Sequence, residues 1–349
     1  MMSSNDAARA LETQPLRATP TSRGQAKPWT HAKRSFLKLP VPVDVSALLS
    51  EYRSIPADAW ASTHWGAHFS SNMLLLRGGA KGTPEDFTTR EVSDQPILSQ
   101  LPYIRSLIAE DGPFGVVTYA FVFRMRPLGV ARPHTDDDPA WKTPFRVHFP
   151  ITTNDGALLL SEKRAIHFSV GEVWTFDNQA KHAVVNGGEV RTHLIIDVQP
   201  NPKLAALLDQ SSYDPGFPNE AAWQRASFDN PSKSFSYAHT EPLSASEKRD
   251  LGLRPDGFAS RVNVRHLFAR LARAPIQVGD VIYSVNGVDA CEVARTALDY
   301  VHLRHRAGET IELGILRDGR RRTETLRLYE NVVPEPVRRG LRWLSDALG

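Results

Sequence analysis

The sequence predicts a mainly β protein: a jelly roll, or double-stranded β-helix, with flanking helices and a smaller α/β unit behind it. Three observations lead there. From Val116 to Pro200, short segments rich in β-branched and aromatic residues follow in quick succession, each bounded by Gly, Pro, Asn or Asp. Such regular spacing is that of an antiparallel sandwich or barrel. Two helix-like segments precede the run, and a second folded unit begins near Leu251, after a stretch poor in periodic apolar residues.

The elements follow in order. Residues 1–33 are polar and rich in Ser, Thr, Pro and Ala, which predicts a disordered tail. VDVSALLSEYRSI predicts a helix with Asp44 or Ser46 near its start. SNMLLLRG (Ser71 to Gly78) reads as a strand, and PILSQLPYIRSLIAEDG as a helical stretch ending at Gly112. The strands of the barrel are VVTYAFVFRMRPLG, FRVHFPITT, GALLLSE, AIHFSV, EVWTFDN, HAVVN and RTHLIIDVQP, which places this domain at residues 35–202. A short helix, KLAALLDQ, opens a Ser-, Pro- and Asn-rich segment over 203–248, read as a surface linker. The second unit spans 250–329, and a basic tail over 330–349 contains VRRGLRWLSDAL, a candidate amphipathic helix.

Composition narrows the function. An apolar fraction of 41% and seven tryptophans suit a globular protein with a real core. The one cysteine, Cys291, allows no internal disulfide and points to a reducing, cytoplasmic setting. No secretory-type leader and no run of about 18 apolar residues occurs, so no membrane span is expected. A net charge of +3 is too mild to argue for nucleic acid. The densest basic run, RDGRRR (Arg317 to Arg322), holds an Asp-Gly pair and reads as a hairpin tip.

The chemistry begins at RPHTDDDPAW. His134 and Asp136 are two residues apart, and on extended chain such residues point the same way. Together they make half of the two-histidine, one-carboxylate face that holds ferrous iron and leaves positions open for oxygen and substrate. The stretch also reads as a solvated acidic turn ending at Pro139 until a third ligand is found. His167, His182 and His193 lie downstream. His182 is the best placed, because it opens a strand after a short polar loop and several strands separate it from Asp136. His167 comes too early, and His193 shares a face with Arg191. Two strands then repeat one pattern: Arg146 and His148 share a face of FRVHFPI, and Arg191 and His193 share a face of RTHLIIDV. Such groups are costly to bury without a charged partner, and a bound dicarboxylate would supply one. A solvent-exposed face is the alternative.

PHTD, RVHFPI, GEVWTFDN, HAVVN and RTHLIID, in this order and spacing, resemble the aspartyl/asparaginyl β-hydroxylase family of iron(II)- and 2-oxoglutarate-dependent dioxygenases. The resemblance covers about residues 35–200. It implies a jelly roll in which His134, Asp136 and His182 bind iron, with Fe(II), 2-oxoglutarate and O2 as the reacting set. It implies that Arg191 holds the distal carboxylate of 2-oxoglutarate, with Arg146 and His148 against the same cosubstrate. No catalytic residue beyond the metal site is implied. Asp177 and Asn178 read as turn residues, Trp174 as core, and Asn186 as a residue orienting the strand end near His182. Trp60, Trp65 and Trp141 are read as packing, with a substrate mouth as the alternative.

The second unit, with VGDVIYSVNG, a helical VARTALDYVHLRH and a GETIELGILRDGRRRTETLRL hairpin, resembles a bacterial PDZ domain. The resemblance implies a carboxylate-binding loop at Leu251-Gly252-Leu253 and an extended peptide as ligand; a scaffold role is the alternative. The expected function is thus hydroxylation of an amino-acid side chain, free or on a peptide or carrier protein. Hydroxylation of a lipid acyl chain, or a non-catalytic metal-binding adaptor docking through the PDZ-like unit, are the competing readings.

Overall fold

The structure, a computed structural model, describes residues 16–17, 36–63, 71–79, 91–136, 144–161, 164–219, 238–255, 259–265, 276–288, 300–301, 303–305 and 309–327. Among these residues the strands form three antiparallel sheets. The largest has ten strands, and its central order is Ser71–Gly79, Val117–Met125, Arg191–Val198, Phe145–Thr152, Trp174–Phe176, Phe36–Lys38. A five-stranded sheet runs Phe217–Pro218, Arg164–Ile166, Ala157–Ser161, His182–Asn186, Val130–His134. A third runs Ala238–Pro242, Ser260–Arg265, Val281–Val285, Thr310–Arg317, Arg320–Arg327. No described helix is long and apolar enough to cross a membrane.

Strand alternation gives the large sheet two different faces. Val147 and Phe149, with Leu194, Ile196 and Val198, pack against Leu48, Ile104, Leu107 and Ile108 of the flanking helices. The opposite face meets the five-stranded sheet. Met73, Phe121, Phe123 and Ile195 cluster there with Ala131 and Val184, and Phe36, Trp174 and Phe176 cluster with Leu159 and Ile166. The Arg and His residues of both patterned strands therefore point between the sheets.

The first helix is Val45–Ser54, and Asp44 caps it by accepting from the Ala47 N–H at 2.9 Å. The next helical stretch is not continuous. It divides into a 3-10 turn, Pro96–Gln100, and an α-helix, Pro102–Ile108. Pro102 disfavours helical geometry at the residue before it, and Leu101 accordingly has φ −122°. AIHFSV yields only the strand Arg164–Ile166, so His167 lies beyond its end. The segment read as a linker is partly built into the sheets. After the helix Pro202–Asp209, Ser212–Asp214 pairs with Phe36–Lys38, and Phe217–Pro218 pairs with Arg164–Ile166. The tail helix expected near the C-terminus, the N-terminal tail apart from 16–17, and Trp65 and Trp141 lie outside the described residues.

In the third sheet, Asp318 and Gly319 have φ 51° and 72° and close the hairpin between Arg317 and Arg320. This is the two-residue turn that an Asp-Gly pair favours. Leu251-Gly252-Leu253 departs from expectation. It ends the helix Ala245–Asp250, with Gly252 at φ 66° and Leu253 buried. All three backbone N–H groups donate to helix carbonyls, Leu251 to Glu247, Gly252 to Arg249 and Leu253 to Lys248. Committed to a helix C-cap, they are not a cradle for a ligand carboxylate.

The C-terminal unit does not stand apart from the two-sheet domain. Leu128, in the turn between Val117–Met125 and Val130–His134, belongs to a cluster with Val262, Ile282, Val285, Ile311 and Leu313. It follows Pro127 in a turn closed by Gly129 N–H to Arg126 O at 2.9 Å, and it takes φ 55° there. This left-handed position normally suits Gly and costs a leucine about 1–2 kcal/mol. Burial of its side chain, 2% exposed, offsets that cost. Tyr300 and Leu303 pack in turn against Val130, Leu158, Leu160, Ala165, Ala183 and Val185, the outer face of the five-stranded sheet. Leu128→Ala should therefore lower the stability of the whole chain by about 2–4 kcal/mol in denaturant unfolding. A loss below about 0.5 kcal/mol, the size of an ordinary surface change, would show that the turn does not anchor the two units.

Candidate metal and carboxylate site

The register of the five-stranded sheet sets His182 directly opposite His134, with ring centroids 4.3 Å apart. Asp136 follows two residues after His134, and one ligand atom from each of the three lies within 4.8 Å of the others. The histidine orientations are fixed from behind. His134 Nδ1 meets the Arg132 carbonyl at 2.5 Å, and His182 Nδ1 meets the Ala180 carbonyl at 2.9 Å. A carbonyl only accepts, so each Nδ1 carries the proton and each Nε2 offers a lone pair. Burial holds His182 neutral, with its pKa lowered to about 3. It lowers His134 as well.

Asp136 is held just as firmly. Its N–H donates to the Asn178 carbonyl at 2.9 Å. Its Oδ2 accepts from Asn178 Nδ2 at 2.9 Å and from Arg146 Nη1 at 2.8 Å. Its Oδ1 lies 3.6 Å from His134 Nε2. Burial alone would raise its pKa, but Arg146, His182 and His134 hold it well below the usual carboxylate range. With Oδ2 committed to two donors, Oδ1 is the atom presented on the side of the imidazoles.

Arg146 is placed as expected, between the sheets, but it is already neutralised. Its Nε and Nη2 donate to both oxygens of Asp197 at 2.9 and 3.0 Å while Nη1 serves Asp136. Its side chain thus joins a metal-type ligand to a second buried acid. Arg191 differs. It is 4% exposed, and among the described residues no acid pairs with it. Its Nη2 instead donates to His193 Nδ1 at 2.8 Å, and burial lowers its pKa to about 9. His148 lies beside this pair, with its Nδ1 3.5 Å from His193 Nδ1 and its Nε2 buried without a hydrogen-bond partner. Phe168, Trp174 and Phe176 wall the same space.

Of the other candidates, His167 is not in the triad; its Nδ1 meets the Ala157 carbonyl at 3.0 Å. Asp177 is a turn residue as expected, accepting from the N–H groups of Gln179 and Ala180. Asn178 is more than that, since it grips Asp136 twice. Asn186 donates to the carbonyls of Met125, Arg126 and Glu189, tying its strand end to the turn that carries Leu128. Trp60 packs half-buried, with the Arg124 guanidinium 4.2 Å above its ring. Asp197 and Asn178 escaped sequence reasoning. Asp197 carried a signal, because it continues the Arg191–His193 face of its strand. Asn178 carried none, because its role depends on which loop returns beside Asp136.

Residues 82–200 match the family model described as aspartyl/asparaginyl beta-hydroxylase. No curated protein matches the sequence significantly. Solved structures similar to the chain include a 2OG-Fe(II) oxygenase family oxidoreductase from Burkholderia pseudomallei. It is 14% identical over 47% of this chain and 84% of that one, with a TM-score of 0.35. A Pseudomonas putida prolyl-4-hydroxylase is 13% identical over 49% and 95%, with a TM-score of 0.31. An HtrA-type protease with a decapeptide is 16% identical over 49% and 41%, with a TM-score of 0.26. The matched segment contains all three residues of the triad, and the chain is an enzyme of the oxygenase class.

Two outcomes follow from the geometry. His182→Ala should abolish binding of Co(II), followed by its visible absorption, while His167→Ala leaves it intact; Asn178→Ala should weaken it about 10–100-fold through the freed carboxylate. Retention of wild-type affinity by His182→Ala would remove it from the site. The second outcome concerns pH in the metal-free protein. His148, His182 and His193 are depressed below the ordinary value of 6.5, by burial first and by nearby cationic groups after it. The unfolded chain therefore takes up protons near that value that the folded chain refuses. Stability should be level above about pH 6.5 and fall steadily towards pH 5. A melting temperature unchanged over that interval would contradict the neutral, buried state of these rings.

Proposed function

We propose that the chain is an iron(II)- and 2-oxoglutarate-dependent dioxygenase that hydroxylates an amino-acid side chain, free or carried on a peptide or carrier protein. The carrying observation is the pairing of two sites between the sheets: a His-Asp-His face and a buried arginine with no acidic partner among the described residues. Two neutral imidazoles and one carboxylate are the donor set that suits ferrous iron with open positions. Arg191, with no acid beside it among the described residues, suits a ligand carboxylate. His134, Asp136 and His182 would hold the iron, and Arg191, with His148 alongside, the distal carboxylate of 2-oxoglutarate. Iron with 2-oxoglutarate and O2 supplies the oxidising power for C–H hydroxylation, with succinate and CO2 as co-products.

The protein's own residues orient and enclose. Arg132 and Ala180 aim the two imidazoles, and Asn178 and Arg146 turn one oxygen of Asp136 towards them. Arg146 belongs to the metal side in this reading, since its charge is already met by Asp136 and Asp197. The aromatic wall of Phe168, Trp174 and Phe176 keeps water away from the carboxylate pocket. The two facing sheets are read as the jelly roll of this enzyme class, and residues 250–329 as a PDZ-like unit. A cytoplasmic location completes the proposal.

The test is turnover. The iron-loaded protein should convert 2-oxoglutarate to succinate, and a +16 product should appear by mass spectrometry among free, peptide-borne or carrier-borne amino acids. Arg191→Ala should cost about 2–5 kcal/mol in cosubstrate binding, a rise of about 30-fold or more in the 2-oxoglutarate requirement, with metal affinity unchanged. An unaltered 2-oxoglutarate dependence in that variant would take Arg191 out of the site. Failure of the unmutated protein to consume 2-oxoglutarate with any substrate would reject the reading.

A further inference from the structure

Arg191 and Asp197 stand on one strand and on one face, with His193 between them. Asp197 neutralises Arg146 across to the neighbouring strand through two hydrogen bonds. His193 does something different for Arg191. It accepts from Nη2 at 2.8 Å and brings no charge. To accept at Nδ1 it must carry its proton at Nε2. Its ring is 2% exposed and lies nearly parallel to Phe168, with centroids 6.2 Å apart and planes at 27°. The imidazole is thus fixed on one side by stacking and commits one donor of the guanidinium on the other.

We infer that His193 is the positioning residue of the carboxylate anchor: a neutral acceptor that aims the Arg191 guanidinium while leaving its positive charge for a ligand carboxylate. The inference rests on the dioxygenase reading. The residue type decides the outcome. An acid at this position would make with Arg191 the closed ion pair that Asp197 makes with Arg146, and would repel an incoming carboxylate. An apolar residue would leave the guanidinium unaimed and a buried donor unsatisfied. Imidazole supplies a hydrogen bond without neutralisation. Burial, reinforced by Arg191 itself, keeps the ring from protonating and so from adding a competing cation.

The experiment uses the full chain loaded with redox-silent Mn(II), calorimetric titration with 2-oxoglutarate, and Mn(II) affinity measured separately by electron paramagnetic resonance. His193→Gln keeps a neutral acceptor and should bind 2-oxoglutarate within about fivefold of the unmutated protein; His193→Phe keeps the stack, loses the acceptor, and should bind about tenfold or more weaker. His193→Asp should bind weakest, with Mn(II) affinity preserved in all three. The positioning role is overturned if the Phe variant binds like the unmutated protein, if the Asp variant binds as well as the Gln variant, or if the Phe variant loses Mn(II) affinity in parallel. No 2-oxoglutarate binding by the unmutated Mn(II) protein would overturn the dioxygenase reading instead, and the inference with it.

Discussion

A guanidinium between two packed sheets must be neutralised from within or must await a ligand, because an isolated buried charge is strongly disfavoured. Between the sheets, Arg146 and Arg191 are one of each kind among the described residues. Arg146 lies between Asp136 and Asp197 and is complete without any guest. Arg191, reached along the strand that carries Asp197, has among the described residues the neutral His193 and no acid. The rest of the site depends on that difference. The first arginine fixes the carboxylate of the triad. The second keeps a charge not met by an acid among the described residues. In the dioxygenase reading the first would serve a metal position and the second a ligand carboxylate.

Alternation made much of this legible in the sequence. A period of two residues placed Arg146 with His148, and Arg191 with His193, on the face opposite their apolar neighbours. The neighbours indeed pack against the helices while the polar residues face inward. His134, Asp136 and His182 come together because two strands that are distant in sequence are adjacent in the sheet. Legibility ended where an interaction depended on pairing that no local pattern encodes. Asn178 is an ordinary loop residue until the loop is seen to return beside Asp136. Arg146, implied beside the cosubstrate, is held by two aspartates that no local pattern links to it: Asp136, just past the end of Val130–His134, and Asp197, on Arg191–Val198. Backbone chemistry explains the other departures. Pro102 divides what apolar spacing read as one helical stretch, and Gly252 takes the left-handed position that ends a helix rather than opening a ligand loop.

The strand His182–Asn186 joins this chemistry to the remainder of the chain. His182 and Val184 point between the sheets, towards the triad and its packing. Ala183 and Val185 point the other way, into a cluster completed by Tyr300 and Leu303 of the C-terminal unit. Gly187, just past that strand, comes so close to the Tyr300 hydroxyl that a Cβ there would collide with it, and it packs tightly against Gly156, just before the neighbouring strand. The outer face of the sheet that carries His134 and His182 is therefore apolar and closely fitted to a second unit. An apolar sheet face is stable only when covered. The C-terminal unit supplies that cover, and Leu128 reaches from the two-sheet domain into its core despite an unfavourable backbone angle. The unit holds from behind the strand that presents His182, so its packing and the geometry of the triad share one element of backbone.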